Sequence, residues 1–165
     1  MASDPTIRRA THDDVDAIRR VADAAWRAAY AELLRTETID RALAEWYSPE
    51  AVERVLDHPD AAYFVASVEG GVRAYCSVAV DGEPARLPSI YVHPDRWGEG
   101  LGTALLERAL AWADERGAET IELQVLAAND VGRGFYEAHG FEVVDEGTVD
   151  SFGEPCRELT YERRI

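Results

Sequence analysis

Ile90-Tyr91-Val92-His93-Pro94-Asp95-Arg96-Trp97-Gly98-Glu99-Gly100-Leu101-Gly102-Thr103 passes from an apolar run through a glycine-rich loop into a helical pattern. A strand, loop and helix in that order make an anion site. Glycines let backbone N–H groups approach an oxyanion closely. The helix N-terminus adds unsatisfied donors and about half a positive charge. Such a site needs no Lys, and this chain has none, since all 17 basic residues are Arg. The dinucleotide pattern G-x-G-x-x-G is not met, because Thr103 stands where its third glycine belongs.

Working outward, Leu101, Leu105, Ala109 and Trp112 form one stripe of the helix, with Leu106, Leu110 and Ala113 beside it. Gly117 stops that helix. Thr120 to Leu126 reads as a strand, Val131 to His139 as a helix stopped by Gly140, and Phe141 to Asp145 and Cys156 to Glu162 as strands. On the N-terminal side, Leu87 to Val92 is a strand. Before it, Tyr63 to Val68 and Val72 to Val80 form a hairpin around Glu69-Gly70-Gly71. Ile7 to Ala10 is a first strand, and Thr11 caps the helix that carries Val15, Ile18, Ala22, Ala25, Trp26 and Ala29. Arg35 to Thr38 is a polar break, Ile39 to Trp46 a second helix, and Ser48-Pro49-Glu50 starts a short third one. The order predicts a mixed α/β domain spanning 1–165, with its sheet between helices.

Composition narrows the chemistry. The chain has 165 residues and 47% apolar residues, enough for one core. The missing Lys excludes a Walker A loop and Schiff-base catalysis. No run reaches the ~20 apolar residues that span a bilayer, and Met1 to Ala10 has no signal-peptide character, so no membrane partner and a cytoplasmic location are expected. With 32 Asp+Glu the formal net charge is -15, so no nucleic-acid partner is expected. Acid excess without Lys also fits a salt-loaded cytoplasm, as in halophilic archaea; GC-rich coding explains the Arg usage but not the charge. Cys76 and Cys156 read as buried free thiols. His12, His58, His93 and His139 have no metal-ligand spacing, and no metal is expected.

A second motif joins the first. Asn129, Phe135, Tyr136, Gly140 and Phe141 match N-x-x-A-x-x-F-Y-x-x-x-G-F, with Gly132 where Ala is usual. Together with G-x-G-x-G at 98–102, this resembles the GNAT superfamily of acetyl-CoA-dependent N-acetyltransferases over essentially the whole chain. The resemblance implies a central, mostly antiparallel sheet, helices on both faces, and acetyl-CoA as cosubstrate between two splayed parallel strands, Leu87–Val92 and Thr120–Leu126. It implies that backbone groups of Ile90, Tyr91 and Val92 hold the pantetheine, with the Val92 N–H as oxyanion donor. The loop Trp97, Gly98, Glu99, Gly100, Leu101, Gly102 and Thr103 would cradle the pyrophosphate. Asn129 would contact the pantetheine arm, and Tyr136 would be the general acid.

The sequence departs from the family at Trp97, where Arg or Gln is usual. Arg96, one place earlier, either reaches a phosphate or lies in solvent. The general base is open among Glu83, Glu122 and His93, because the family's Glu position falls near Arg86. Trp26, Tyr30 and Trp46 are candidates for the acceptor pocket, with Trp26 also suited to the core. The acceptor would be the amine of a small molecule or peptide, and a homodimer is an open expectation. The rival reading is a CoA-binding sensor or regulatory module with little turnover.

Overall fold

A double cap opens the first helical segment. Thr11 Oγ1 accepts from the Asp13 N–H at 3.3 Å, and Asp14 Oδ2 accepts from the Thr11 N–H at 2.8 Å. Arg8 closes a two-pronged bridge onto the same carboxylate at 2.7 and 2.8 Å. This junction joins β1 (Thr6–Arg9), through a 3-10 turn over His12–Asp14, to α1 (Val15–Tyr30). Then come α2 (Thr36–Trp46), α3 (Pro49–Asp57), β2 (Ala61–Val68), β3 (Gly71–Ala79) and β4 (Ala85–Val92). A second 3-10 turn (Pro94–Arg96) leads to α4 (Leu101–Glu115), β5 (Thr120–Leu126), α5 (Asp130–Ala138), β6 (Glu142–Val149) and β7 (Cys156–Arg164). This computed structural model describes residues 4–150 and 153–165. Met1–Ser3, part of the stretch read for a targeting signal, lie outside the described residues. Among the described residues, no helix is long and apolar enough to cross a membrane.

The seven strands form one sheet in the order β1-β2-β3-β4-β5-β7-β6, antiparallel except for β4 and β5. Its two faces bury separate cores. Leu101, Leu105, Leu106 and Ala109 of α4 and Phe141 pack with Phe64, Cys76, Ile121, Leu123 and Tyr161 on one face. Ile18, Ala22, Trp26 and Tyr30 of α1, with Ile39 and Val52, pack with Tyr63, Val65 and Tyr75 on the other. The mixed fold with helices on both faces is therefore as the sequence predicts.

Several boundaries differ from the reading. α2 starts at Thr36 rather than Ile39, because Thr38 is buried and its Oγ1 donates to Glu154 at 2.7 Å. β6 continues to Val149 because it pairs with β7 as far as Cys156. Cys156 is half-buried, not buried, since it lies at the start of β7; Cys76 is buried, and both are free thiols.

The parallel pair positions the site. Only Ala85↔Ile121 and Arg86↔Glu122 are in register between β4 and β5. Beyond Arg86 the strands part. On its other edge β4 pairs Arg86 with Ala79 and Ser89 with Ser77, so three residues of β4 span what two span in β3. That is a bulge, and it bends β4 away. Pro88 sits in it with no N–H to offer either neighbour.

Candidate active site

The gap between the strands has a defined polar lining. His93 donates its backbone N–H to Arg73 O at 2.8 Å, so the residues of β4 that alternate with it point to β3. By the same alternation, the N–H and C=O groups of Ile90 and Val92 face the gap. On β5, the Ala127 N–H donates to Arg157 O at 2.9 Å, which turns the backbone of Gln124 and Leu126 toward the gap. Leu126 O is taken by the Asn129 N–H at 2.9 Å. Val92 O is taken by the indole N–H of Trp97 at 2.8 Å. Among the described residues, the free backbone groups facing the gap are thus those of Ile90 and Gln124 and the N–H groups of Val92 and Leu126.

The glycine loop closes one end. Gly98 and Gly100 have φ of 81° and 82°, left-handed conformations that non-glycine residues rarely adopt. A Cβ at either would project into open space with no atom within 4 Å, so the cradle is bare backbone. Gly100 is the N-cap of α4, and the first intrahelical bond there runs from Ala104 N to Gly100 O. The N–H groups of Leu101, Gly102 and Thr103 therefore have no helical partner. Gly102 serves packing: a Cβ on it would meet the Phe135 ring at 3.3 Å. These features fit the diphosphate of CoA. The loop carries glycines where a close approach is needed, three unpaired donors and the positive end of a 15-residue helix.

Side chains around the loop take definite partners. Arg96 lies between Glu99 at 3.5 Å and Glu69 at 3.9 Å, so it belongs to carboxylates of the loop and of the β2–β3 turn. His93 Nδ1 accepts from the Asp95 N–H at 3.2 Å and caps the second 3-10 turn. Glu83 accepts from the N–H groups of Glu119 and Thr120 at 2.6 and 3.4 Å. Both residues hold turns. Glu122 lies beside Arg86 and Glu162 in the ladder, away from the gap's open end.

Tyr136 projects from α5 into the first core, packed by Phe135, Phe141 and Tyr161 at ring distances of 5.3, 5.6 and 6.4 Å. Burial pushes its pKa up, with smaller contributions from Tyr30 and Cys76. Its hydroxyl has no hydrogen-bond partner among the described residues. Asn129 Oδ1 accepts from the Gly132 N–H at 3.0 Å and caps α5. A Cβ at Gly132 would fall 2.7 Å from Asn129 Nδ2, so glycine there lets the cap fold in.

On the opposite face a cavity of about 430 Å³ reaches the gap. Trp26, Tyr30, Trp46, Tyr47, Tyr63 and Tyr91 line it, so all three pocket candidates read from the sequence, Trp26, Tyr30 and Trp46, border this cavity. Trp26 is also core, its ring tilted against those of Tyr30 and Tyr91 at centroid distances of 4.8 and 5.7 Å. The Tyr30 and Tyr91 hydroxyls share a 2.8 Å hydrogen bond, and Ser77 and Ser89 one of 2.6 Å. Gln124 and Glu158 complete the polar wall. The sequence reading missed Glu158. Its signal was alternation along the last strand, where Leu159 and Tyr161 are core and Glu158 and Thr160 face the other way. Among the described residues, no group of three His, Cys, Asp or Glu side chains is placed to hold a metal ion.

A family model described as acetyltransferase (GNAT) family matches residues 18–141. Among solved structures, the PaiA N-acetyltransferase of Thermoplasma acidophilum, in complex with coenzyme A, superposes with a TM-score of 0.87 at 24% identity, over 98% of this chain and 99% of that one. The ribosomal-protein-S18-alanine N-acetyltransferase of Escherichia coli gives 0.74 at 22%, over 98% and 94%. The putative acetyltransferase YncA of Salmonella typhimurium, with acetyl-CoA, gives 0.69 at 24%, over 98% and 94%.

Proposed function

This chain belongs to the acetyltransferase (GNAT) family of acyl-CoA-dependent N-acyltransferases, and on that premise we propose that it moves an acetyl group from acetyl-CoA to a primary amine, with Tyr136 as general acid. The observation that carries the reading is the parting of β4 and β5 after two paired residues, next to a bare glycine cradle. Acetyl-CoA supplies the activated acyl group. The unpaired donors of Leu101, Gly102 and Thr103 and the loop of Gly98, Glu99 and Gly100 bind its diphosphate. Ile90, with Gln124 across the gap, orients the pantetheine, and the Val92 N–H faces the thioester carbonyl. Trp97, by holding Val92 O, ties down the end of the strand next to that N–H. Tyr136, kept protonated by burial, gives its proton to the departing sulfur.

The acceptor is an amine of a small molecule or peptide, taken up on the face of Trp26 and Tyr30. We place the whole of 1–165 in one catalytic domain working in a salt-loaded cytoplasm. Thermal unfolding with and without acetyl-CoA tests the cofactor site. At about 100 times its dissociation constant, acetyl-CoA is expected to add about 2.7 kcal/mol of stability. Gly100→Val, which puts a branched side chain into the cradle at a left-handed φ, should abolish that gain while the variant still unfolds cooperatively. A folded wild-type chain that does not respond to acetyl-CoA would overturn the reading.

A further inference from the structure

Glu158 is the one charged residue lining the aromatic cavity. It is half-buried on β7, directly across the ladder from Leu126, where β5 ends at the gap. Among the described residues it has no ion pair and no side-chain hydrogen bond. The rest of the polar wall is neutral: the hydroxyls of Tyr30, Tyr47, Tyr63, Tyr91, Ser77 and Ser89, and the Gln124 amide. On its own strand the adjacent Arg157 points to the other face and pairs with Glu146, and the nearest titratable group on the same face is the Cys156 thiol, whose pKa burial raises with smaller contributions from Glu154, Asp150 and Glu158. A carboxylate set alone into an aromatic wall is costly unless a cation meets it. The ring faces around it attract cations as well.

Resting on the acetyl-transfer reading above, we propose that Glu158 is the general base and that the acceptor is a small primary amine on a flat apolar body, an arylalkylamine. Its ammonium lies against Glu158 and its ring among Trp26, Trp46 and Tyr91. The size agrees: about 430 Å³ lies at the small end of ligand cavities, which run roughly 300–1,000 Å³. A polyamine would bring further ammonium groups past the single carboxylate. A peptide would bring a run of amides, whereas four of the wall's six hydroxyls are already paired with one another, Tyr30 with Tyr91 and Ser77 with Ser89. Burial raises the Glu158 pKa, which suits a proton acceptor working near neutral pH.

The proton inventory closes. The bound ammonium gives one proton to Glu158, which passes it to solvent. The neutral nitrogen attacks the thioester carbonyl carbon, so a C–N bond forms. The C–S bond breaks, and its electron pair leaves with sulfur. Tyr136 protonates the sulfur and is itself restored by the second nitrogen proton.

The test is acetylation of 2-phenylethylamine, spermidine and an Ala-initiated hexapeptide by the full chain, followed by release of the CoA thiol. We expect kcat/KM for 2-phenylethylamine at least about tenfold above the other two, and Glu158→Gln to lower its kcat by about 10²-fold or more. The pH profile separates a base from a structural role. In the wild type, kcat/KM should rise through the Glu158 titration and level off until the amine itself titrates. In Glu158→Gln it should climb with unit slope up to the amine's own pKa. The variant's melting temperature and its stabilisation by acetyl-CoA should match the wild type. Preference for spermidine or the peptide, or a Glu158→Gln profile and kcat like the wild type's, would overturn the inference while acetyl-CoA binding stands. Loss of acetyl-CoA binding in the wild type itself would instead remove the acetyl-transfer reading, and the base assignment with it.

Discussion

A phenol that gives up a proton during a reaction has to keep it until then. Tyr136 meets that condition through burial, which raises its pKa, and its hydroxyl is tied to no acceptor. Removing the hydroxyl therefore breaks no bond in the fold. Tyr136→Phe should change stability by under about 1 kcal/mol, since a typical hydrogen bond contributes about that much and none is lost. It should lower kcat by about 10²-fold or more and leave the acetyl-CoA shift in melting temperature intact. Full activity in the variant would remove Tyr136 from the chemistry, and the sulfur would then take its proton from water. The same comparison separates an enzyme from a binding module, because a sensor would not respond to the substitution at all.

At the scale of elements, the decisive contact is between α4 and α5. Gly102 leaves room for the Phe135 ring, with 3.3 Å to the place of its missing Cβ. Thr103 and His139 join the same two helices by a 3.0 Å hydrogen bond, and His139 Nδ1 lies 2.7 Å from Phe135 O. That carbonyl only accepts, so Nδ1 carries a proton. Gly102→Val should push Phe135, and with it Tyr136, away from the first turn of α4. Overpacking of this kind costs about 1–3 kcal/mol. The expected outcome is a lower melting temperature together with weaker acetyl-CoA binding, measured by unfolding and by calorimetry. Unchanged binding in a destabilised variant would show that the donors of α4 keep their place without α5.

The elements were legible in the sequence because their ends carry local signals. Ser48-Pro49, Gly117 and Gly140 each mark a boundary by backbone chemistry, and the stripe on α4 follows from its 3.6 period. The glycine loop before α4 was legible for the same reason. The parting of the parallel strands was expected only through the family resemblance, though its cause is local: Pro88 inside a strand flanked on both sides. Glu158 was not legible. Its place depends on β7 pairing with β5 across a long stretch of chain, and on which face of the sheet α1 covers. Alternation gives a strand two faces but does not say which one meets the active site. Trp97 likewise looked like a departure from the motif. Its bond to Val92 O shows that the indole holds a backbone group which the parted strand leaves open.

At the scale of the whole molecule the dominant quantity is the charge of -15. Few of the carboxylates are neutralised in buried positions. Arg8–Asp14 is the best-buried bridge, with Asp14 only 7% exposed in its side chain, whereas Arg27–Asp23 and Arg157–Glu146 lie in solvent. Exposed pairs of that kind contribute about 0–1 kcal/mol each, too little to offset a like-charged surface. Repulsion among the remaining carboxylates should therefore depress stability at low ionic strength. The Debye length falls from about 10 Å at 0.1 M salt to about 3 Å at 1 M, so KCl should remove most of that repulsion below 1 M. For a chain of this size each kcal/mol regained raises the melting temperature by about 2–4 °C. A melting curve series in KCl should rise by several degrees up to about 1 M and then flatten. A flat series from 0.1 M upward would mean that the acidic surface is already spaced widely enough to be indifferent to salt. The Arg-only basic composition would then need no explanation beyond codon usage.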